Sequence, residues 1–369
     1  MPQPRLDILN LTRAGLADFI RTELGEKAFR GDQLWKWLWR KGARSFADMT
    51  DVSAALRAEL EKRAAIRWPE TACKSVSQDG TVKLLLRLDD GEYIETVLIP
   101  EEEAGEGKGA EHGRGRRVTQ CLSSQAGCAM GCTFCATGGL GFRRNLTQAE
   151  ILGQILVGRA YLEAFSPGAD LRNLVFMGMG EPLLNLENML RSLESLRSEQ
   201  GLNFPRRRVT VSTCGLPSRL SRLAGSGLAC LALSLHAPTQ ELRARLMPKA
   251  AAFRLEDLLA ELAACPPRPG ESVTFEYLLL GGVNDSPEHA RALGRIAADL
   301  KAKINLIAYN RVEGSPYAPP DRESILAFER ELWKRGLTAV LRKRRGQDIE
   351  AACGQLRAAR PGPASAGRI

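Results

Sequence analysis

No run of this 369-residue chain approaches the ~20 consecutive apolar residues that a helix needs to cross a bilayer, although 44% of its residues are hydrophobic. A helical membrane protein is therefore not expected. The first residues, MPQPRLDILNLTR, contain no apolar core of a secretory signal, so the chain is expected to stay in the cytoplasm. No GxxxxGK[ST] phosphate loop occurs, which argues against an ordinary nucleotide hydrolase. Aromatic residues are scarce at 6%, and acidic residues fall short of basic ones, 43 against 52, leaving a net charge of +9. That excess suits a polyanionic partner without establishing one.

Cysteine, by contrast, is plentiful. Nine are present, at 73, 121, 128, 132, 135, 214, 230, 265 and 353. Thiols of a cytosolic chain are kept reduced, so clustered ones more often bind metal or do chemistry than form structural disulfides.

Periodicity divides the chain into unlike parts. Residues 1–75 read as a small helical domain, with Leu16, Phe19 and Ile20 on one face, Phe29, Leu34 and Leu38 continuing the pattern, and Trp35, Trp37 and Trp39 packing its core. Residues 76–117 follow as a β-hairpin and a charged linker. The hairpin turns at Asp89-Asp90-Gly91, and 101–117 is Gly-rich and aperiodic. Residues 118–356 alternate between β runs, at 118–122, 174–177, 209–213, 231–235, 273–279 and 304–307, and helical stretches. Such alternation predicts parallel βαβ units, in an open doubly wound sheet or a barrel, with functional residues at the strands' carboxyl ends. Residues 357–369 read as a disordered tail.

The segment QAGCAMGCTFCATG places Cys128, Cys132 and Cys135 at C-x3-C-x2-C spacing just after the first of these β runs. Thiolates that close can converge on a soft metal centre. Structural zinc wants four N or S ligands, and would need a distant Cys or His to complete the set. A [4Fe–4S] cluster on three cysteines leaves one iron open to chelate a substrate and pass it an electron.

With Phe134 beside Cys135, and with VFMGMGEPLLN after the second β run, the chain resembles the radical S-adenosylmethionine superfamily. IETVLIP, CLSSQAGCAMGCTFC, RRVTVSTCG, ALSLHAP, KINLIAYN and RGQDIEAACGQL, in this order, resemble the RlmN/Cfr family of radical SAM RNA methyltransferases within it. The resemblance implies an α/β fold, a partial (β/α)6 TIM-like barrel with a small helical RNA-binding accessory domain at the amino terminus. It implies a [4Fe–4S] cluster on Cys128, Cys132 and Cys135, with S-adenosylmethionine contacted by Gly180, Glu181, Ser212, Ser234, Leu235, His236 and Asn310. Cys353 is then the methyl-carrying cysteine, Cys121 the one that closes a transient disulfide with it, and Glu95 the proton acceptor. Two molecules of S-adenosylmethionine are used in ping-pong fashion. The implied partners are 23S rRNA, methylated near the peptidyl transferase centre, tRNAs methylated at adenosine 37, and an external, flavodoxin-like electron donor; the chain is expected to act as a monomer.

Physical chemistry agrees with the need for a carrier thiol. Carbon 2 of adenine lies between two ring nitrogens and is too electron-poor to attack a methyl sulfonium, whereas a carbon radical can add to it. Three other readings stay open at this point: methylation at C8 as in Cfr, a radical enzyme acting on a small molecule, and a non-catalytic RNA-binding protein with structural zinc. Cys214, in STCG, departs from the small polar residue expected of the family, and 101–117 is longer than the family's usual link. Arg206-Arg207-Arg208 and Arg342-Lys343-Arg344-Arg345 are candidate phosphate contacts bracketing the site.

Overall fold

The computed structural model describes residues 5–101 and 116–358. Most of the 101–117 linker and all of the tail beyond 358 lie outside the described residues. No described helix is long and apolar enough to cross a membrane.

The frame is one ten-stranded sheet: β1 (Glu70–Val76), β2 (Val82–Arg87), β3 (Tyr93–Pro100), β4 (Arg117–Cys121), β5 (Asp170–Phe176), β6 (Val209–Thr213), β7 (Cys230–Ser234), β8 (Thr274–Leu279), β9 (Lys303–Ala308) and β10 (Ala339–Leu341). The strands lie side by side in chain order, β1 at one edge and β10 at the other. From β1 to β4 neighbours run antiparallel; from β4 to β10 they run parallel. Parallel order without reversal is the winding of an incomplete barrel rather than a doubly wound sheet. All six expected β runs are strands. β10 is a seventh parallel strand, whose three residues are too short a run to carry a pattern.

Helices between the parallel strands cover the sheet. Gln148–Phe165, after the cysteine cluster, begins with a capping box in which Thr147 and Glu150 satisfy each other's main-chain N–H groups. The hairpin at Asp89–Gly91 forms as expected, Gly91 adopting φ 83° and donating its N–H to Leu88 O.

The amino-terminal segment is helical over Arg13–Thr22, Phe29–Trp35 and Ala54–Arg63, with a π-turn at Lys36–Arg40. Leu16, Ile20, Leu34, Leu38, Trp35 and Trp39 form its buried core. Two details differ from the sequence reading. Phe29 is exposed, and Trp37 lies at the surface side, donating to Asp51 and carrying Lys41 over its ring. Residues 70–76, read as the end of the helical part, form β1. Their sequence ETACKSV shows no clean alternation because an edge strand faces water widely. Gln148 donates to Leu9 O and Leu11 O, and Trp35 Nε1 donates to Ser198 Oγ at 2.9 Å, so this segment is sutured to the helices of the sheet.

Candidate active site

The carboxyl ends of the parallel strands converge on two adjoining cavities. The inner one, about 890 Å³, is lined by Cys128, Cys132 and Cys135 from the loop after β4, Gly180 and Glu181 after β5, Ser212 of β6, Ser234 of β7 and His236 after it. The outer one, about 830 Å³, is lined by Cys121, Asn310, Ala351 and the run from Arg342 to Arg345. Met177, Arg342, Cys353 and Gly354 line both, so Cys353 stands in the shared wall.

The cysteine loop is held from two sides. Thr133 N donates to Leu246 O at 3.0 Å, and Ala136 N donates to Gly354 O at 2.8 Å. A Cβ on Gly138 would come within 2.8 Å of Cys132 O, so only glycine lets the loop close this tightly. Burial pushes Cys128 up to about 11 and raises Cys132 and Cys135 as well, so the bare thiols are protonated. No group of three His, Cys, Asp or Glu among the described residues is gathered on one point as a single ion requires. The three thiols line one cavity, which fits a cubane offering a separate iron to each.

Glu181 is buried and already engaged. One carboxylate oxygen accepts from Thr213 Oγ1 at 2.5 Å and from Leu183 N at 2.9 Å, and the other accepts from Cys214 N at 3.0 Å. It ties the end of β6 to the turn after β5, with one lone-pair site left for an ammonium. Gly180 has φ 100°, and a Cβ there would lie 2.5 Å from Gln125 Cβ, so no other residue fits. Ser212 Oγ and Ser234 Oγ sit 3.0 Å apart on the neighbouring strands.

His236 adopts a left-handed φ of 52°. Its Nδ1 accepts from Leu278 N at 3.1 Å, which places the ring proton on Nε2. Burial, helped by the charge of Arg243, drives its pKa down to about 3, so the ring is neutral. Phe134 meets it edge-on at 5.1 Å. A neutral donor of this kind suits contact with a ligand better than metal coordination.

Not every expected contact reaches the inner cavity. Leu235 is fully buried behind its wall, where its N–H is taken by Glu276 O. Asn310 lines the outer cavity and accepts from Gln347 Nε2 at 2.7 Å. Glu95 lines neither of these cavities. It is buried on β3, paired with Lys83 Nζ at 3.3 Å and accepting from Arg357 N at 2.9 Å.

Cys121, at the end of β4, is buried, and its thiol is pushed up to about 12 by burial first and by the nearby Cys353 second. All nine cysteines are free, so no Cys121–Cys353 disulfide is present. Cys353 itself rides on residues 346–358, a strap pinned across the strand ends. Ser77 Oγ and Gln78 N donate to Asp348, Lys83 Nζ to Glu350 O, and Thr137 Oγ1 to Leu356 O.

The two basic runs part company. Arg206 pairs with Glu271, and Arg208 donates to Asn173, at the amino end of β6, so this run lies at the end of the sheet away from the site. The second run belongs to the outer cavity, but Arg342 is directed inward, 3.8 Å from Glu276. Glu276 escaped the sequence reading, being one acid in an apolar β run. One of its oxygens accepts from Asn305 Nδ2 at 2.9 Å, and Oε2 is buried without a hydrogen bond in the wall of the inner cavity.

Relatives place this geometry. Residues 6–66 match the model of the ribosomal RNA large subunit methyltransferase N-terminal domain, and 122–293 match that of the radical SAM superfamily. The chain is 57% identical over 364 residues to a dual-specificity RNA methyltransferase RlmN of Nitratidesulfovibrio vulgaris strain DP4, covering 98% of each. The chain belongs to the RlmN family. It is also 58% identical over 360 residues to the RlmN of Oleidesulfovibrio alaskensis, covering 97% of each. A crystal structure of a radical SAM methyltransferase from Sphaerobacter thermophilus superposes with a TM-score of 0.86 at 39% identity, covering 96% of this chain and all of that one. Membership brings the [4Fe–4S] cluster and S-adenosylmethionine of radical SAM enzymes, and the inner cavity's residues fit both.

Proposed function

We propose that this chain methylates C2 of an adenosine in 23S rRNA and of adenosine 37 in tRNAs, through a methyl group carried on Cys353. The observation that carries the proposal is the position of Cys353, in the wall common to the cavity of the three clustered cysteines and a basic one.

When bound, the [4Fe–4S] cluster supplies the electron that splits S-adenosylmethionine to a deoxyadenosyl radical. Cys128, Cys132 and Cys135 hold it. Glu181 takes the methionyl ammonium on its remaining lone pair, and Ser212, Ser234 and His236 orient the rest of the molecule. Asn310 and Leu235 act from behind or beside this wall. Cys353 Sγ would first take the methyl group of one S-adenosylmethionine, with S-adenosylhomocysteine as the leaving group. The S-methyl carbon, after giving a hydrogen atom to the deoxyadenosyl radical of a second, would bond to adenine C2, and the adduct radical would give up one electron. Glu95, whose Oε2 accepts from Arg357 N of the strap, would accept the proton lost from C2. Cys121 Sγ then attacks Cys353 Sγ, closing a disulfide as the product leaves.

RNA docking is assigned to the helical part, residues 1–75, together with the basic rim of the outer cavity; 76–117 joins it to the partial barrel of 118–356. The reading places the reaction in the cytoplasm, with the chain acting as a monomer and an external flavodoxin-like protein delivering electrons. The test is anaerobic incubation of the reconstituted protein with unmodified rRNA, then mass spectrometry of the digest. The expected product is 2-methyladenosine; 8-methyladenosine alone would overturn the assignment in favour of the Cfr type of chemistry.

A further inference from the structure

Arg243, on the helix Gln240–Leu246, is completely buried. A guanidinium in that position normally sits against a carboxylate, because an uncompensated charge in a low-dielectric interior is strongly unfavourable. Among the described residues no carboxylate lies within ion-pairing distance of it. Nη2 donates to Cys214 O at 2.5 Å, Nη1 reaches Leu235 O at 3.5 Å and Met247 Sδ at 4.0 Å, and Nε has no partner. All of these acceptors are neutral.

The groups whose charge bears on the guanidinium are Cys214, Cys132 and Glu181. The first is a buried thiol, held protonated. The third is a carboxylate held by Thr213, Leu183 and the main chain of Cys214, outside ion-pairing distance of the guanidinium. Cys132, assigned above as a cluster ligand, is the one of the three that gains a negative charge when the cluster is bound. The same helix grips the cluster loop, because Leu246 O accepts from both Thr133 N and Thr133 Oγ1. Charge and cluster loop are thus fixed to one another.

We propose that Arg243 is the built-in counter-charge of the cluster and sets the potential at which the cluster accepts its electron. Three thiolates outweigh the formal charge of an oxidised cubane by one, and the single electron taken from an external reductant adds another negative charge. A fixed cation in a dry interior stabilises the reduced form more than the oxidised one, and so raises the reduction potential. Arg243 does not line the cavity, so it is a positioning residue acting through charge. Lys249 is the other cation near the ligands, bearing on Cys128 and 3.8 Å from the place of a Gly131 Cβ. It is exposed, and solvent screens it.

The proposal rests on the assignment of the three cysteines as cluster ligands, and its test separates the two. Reconstituted wild type, Arg243→Lys, Arg243→Gln and Lys249→Gln are each assayed for iron and sulfide, then titrated anaerobically with dithionite under EPR. At the potential that half-reduces the wild-type cluster, Arg243→Gln should show at least a tenfold lower ratio of reduced to oxidised cluster, about 59 mV for a one-electron couple. Arg243→Lys should stay close to wild type, and Lys249→Gln should move less than Arg243→Gln. Iron-loaded Arg243→Gln with an unchanged potential overturns the proposal, as do equal shifts in the Lys and Gln variants, which would mark a purely structural role. If Arg243→Gln fails to load iron, Met247→Glu decides instead, since a carboxylate beside the intact guanidinium must lower the potential, and no shift contradicts the counter-charge. Wild-type protein that binds no iron would instead remove the cluster assignment itself.

Discussion

The two cavities that meet at Cys353 are similar in size and opposite in chemistry. The inner one is walled by Phe134, Phe176, Met247 and Leu278, and its polar groups are few and mostly spoken for. The outer one carries four consecutive basic residues and includes the buried Cys121 in its lining. A largely apolar chamber suits a radical, while cationic side chains suit a phosphate backbone. Two thiols line both, Cys135 of the cluster loop and Cys353, and a carrier on Cys353 can be loaded on one side and discharged on the other without moving far.

Removing the carrier thiol should break the link and spare both chambers. Cys353→Ala is expected to retain full iron and RNA affinity, with no methyl group on the protein and no methylated RNA. Cys132→Ala should do the reverse of the first half, losing the iron while RNA binding persists. Cys121→Ala sits on the outer side only. It should accept a methyl group and then stall after one turnover with RNA covalently attached, visible as a shifted band on a denaturing gel.

The inner chamber should also be sensitive to acid. The fold holds His236 neutral, with its pKa pushed down to about 3 from 6.5. Its contribution to stability is therefore complete above pH 6.5 and is lost as pH falls toward 3, about 2 kcal/mol by pH 5. Denaturant unfolding at pH 7 and pH 5 should show this loss in the wild type and less of it in His236→Gln. Glu181→Gln replaces one acceptor of the turn by a donor. It should weaken S-adenosylmethionine binding about tenfold, or about 1.4 kcal/mol, by calorimetry. The smallest effect belongs to the outer chamber: Arg344→Gln should lower the salt slope of RNA binding by about one unit and leave cofactor affinity unchanged.

Much of this was legible in the chain before any coordinates. The six parallel strands between 118 and 307 each hold a buried, largely apolar stretch that reads as a β run, and the cysteine spacing points to the loop that follows the first. Edge strands gave weaker signals. β1 is polar and half-solvated, and β10 is three residues long. The two basic runs read as phosphate contacts and Glu95 as a proton acceptor, because sequence does not show which side of a sheet a charged residue reaches. Arg206 and Arg208 thus proved to lie at the far end, Arg342 to point inward, and Glu95 to be buried against Lys83. Glu276 and Arg243 carried no motif at all. Their standing depends on neighbours contributed by other strands, which only the folded chain brings together.

The account stands or falls on the traffic of one carbon atom across Cys353. The most direct measurement incubates the iron-loaded protein, anaerobically and without RNA, with S-adenosylmethionine bearing a deuterated methyl group, then adds unmodified rRNA and follows the label by mass spectrometry. The label is predicted to appear first on the Cys353 peptide and to leave it as methylated adenosine forms. Label that reaches adenosine while the Cys353 peptide never carries it would contradict the account.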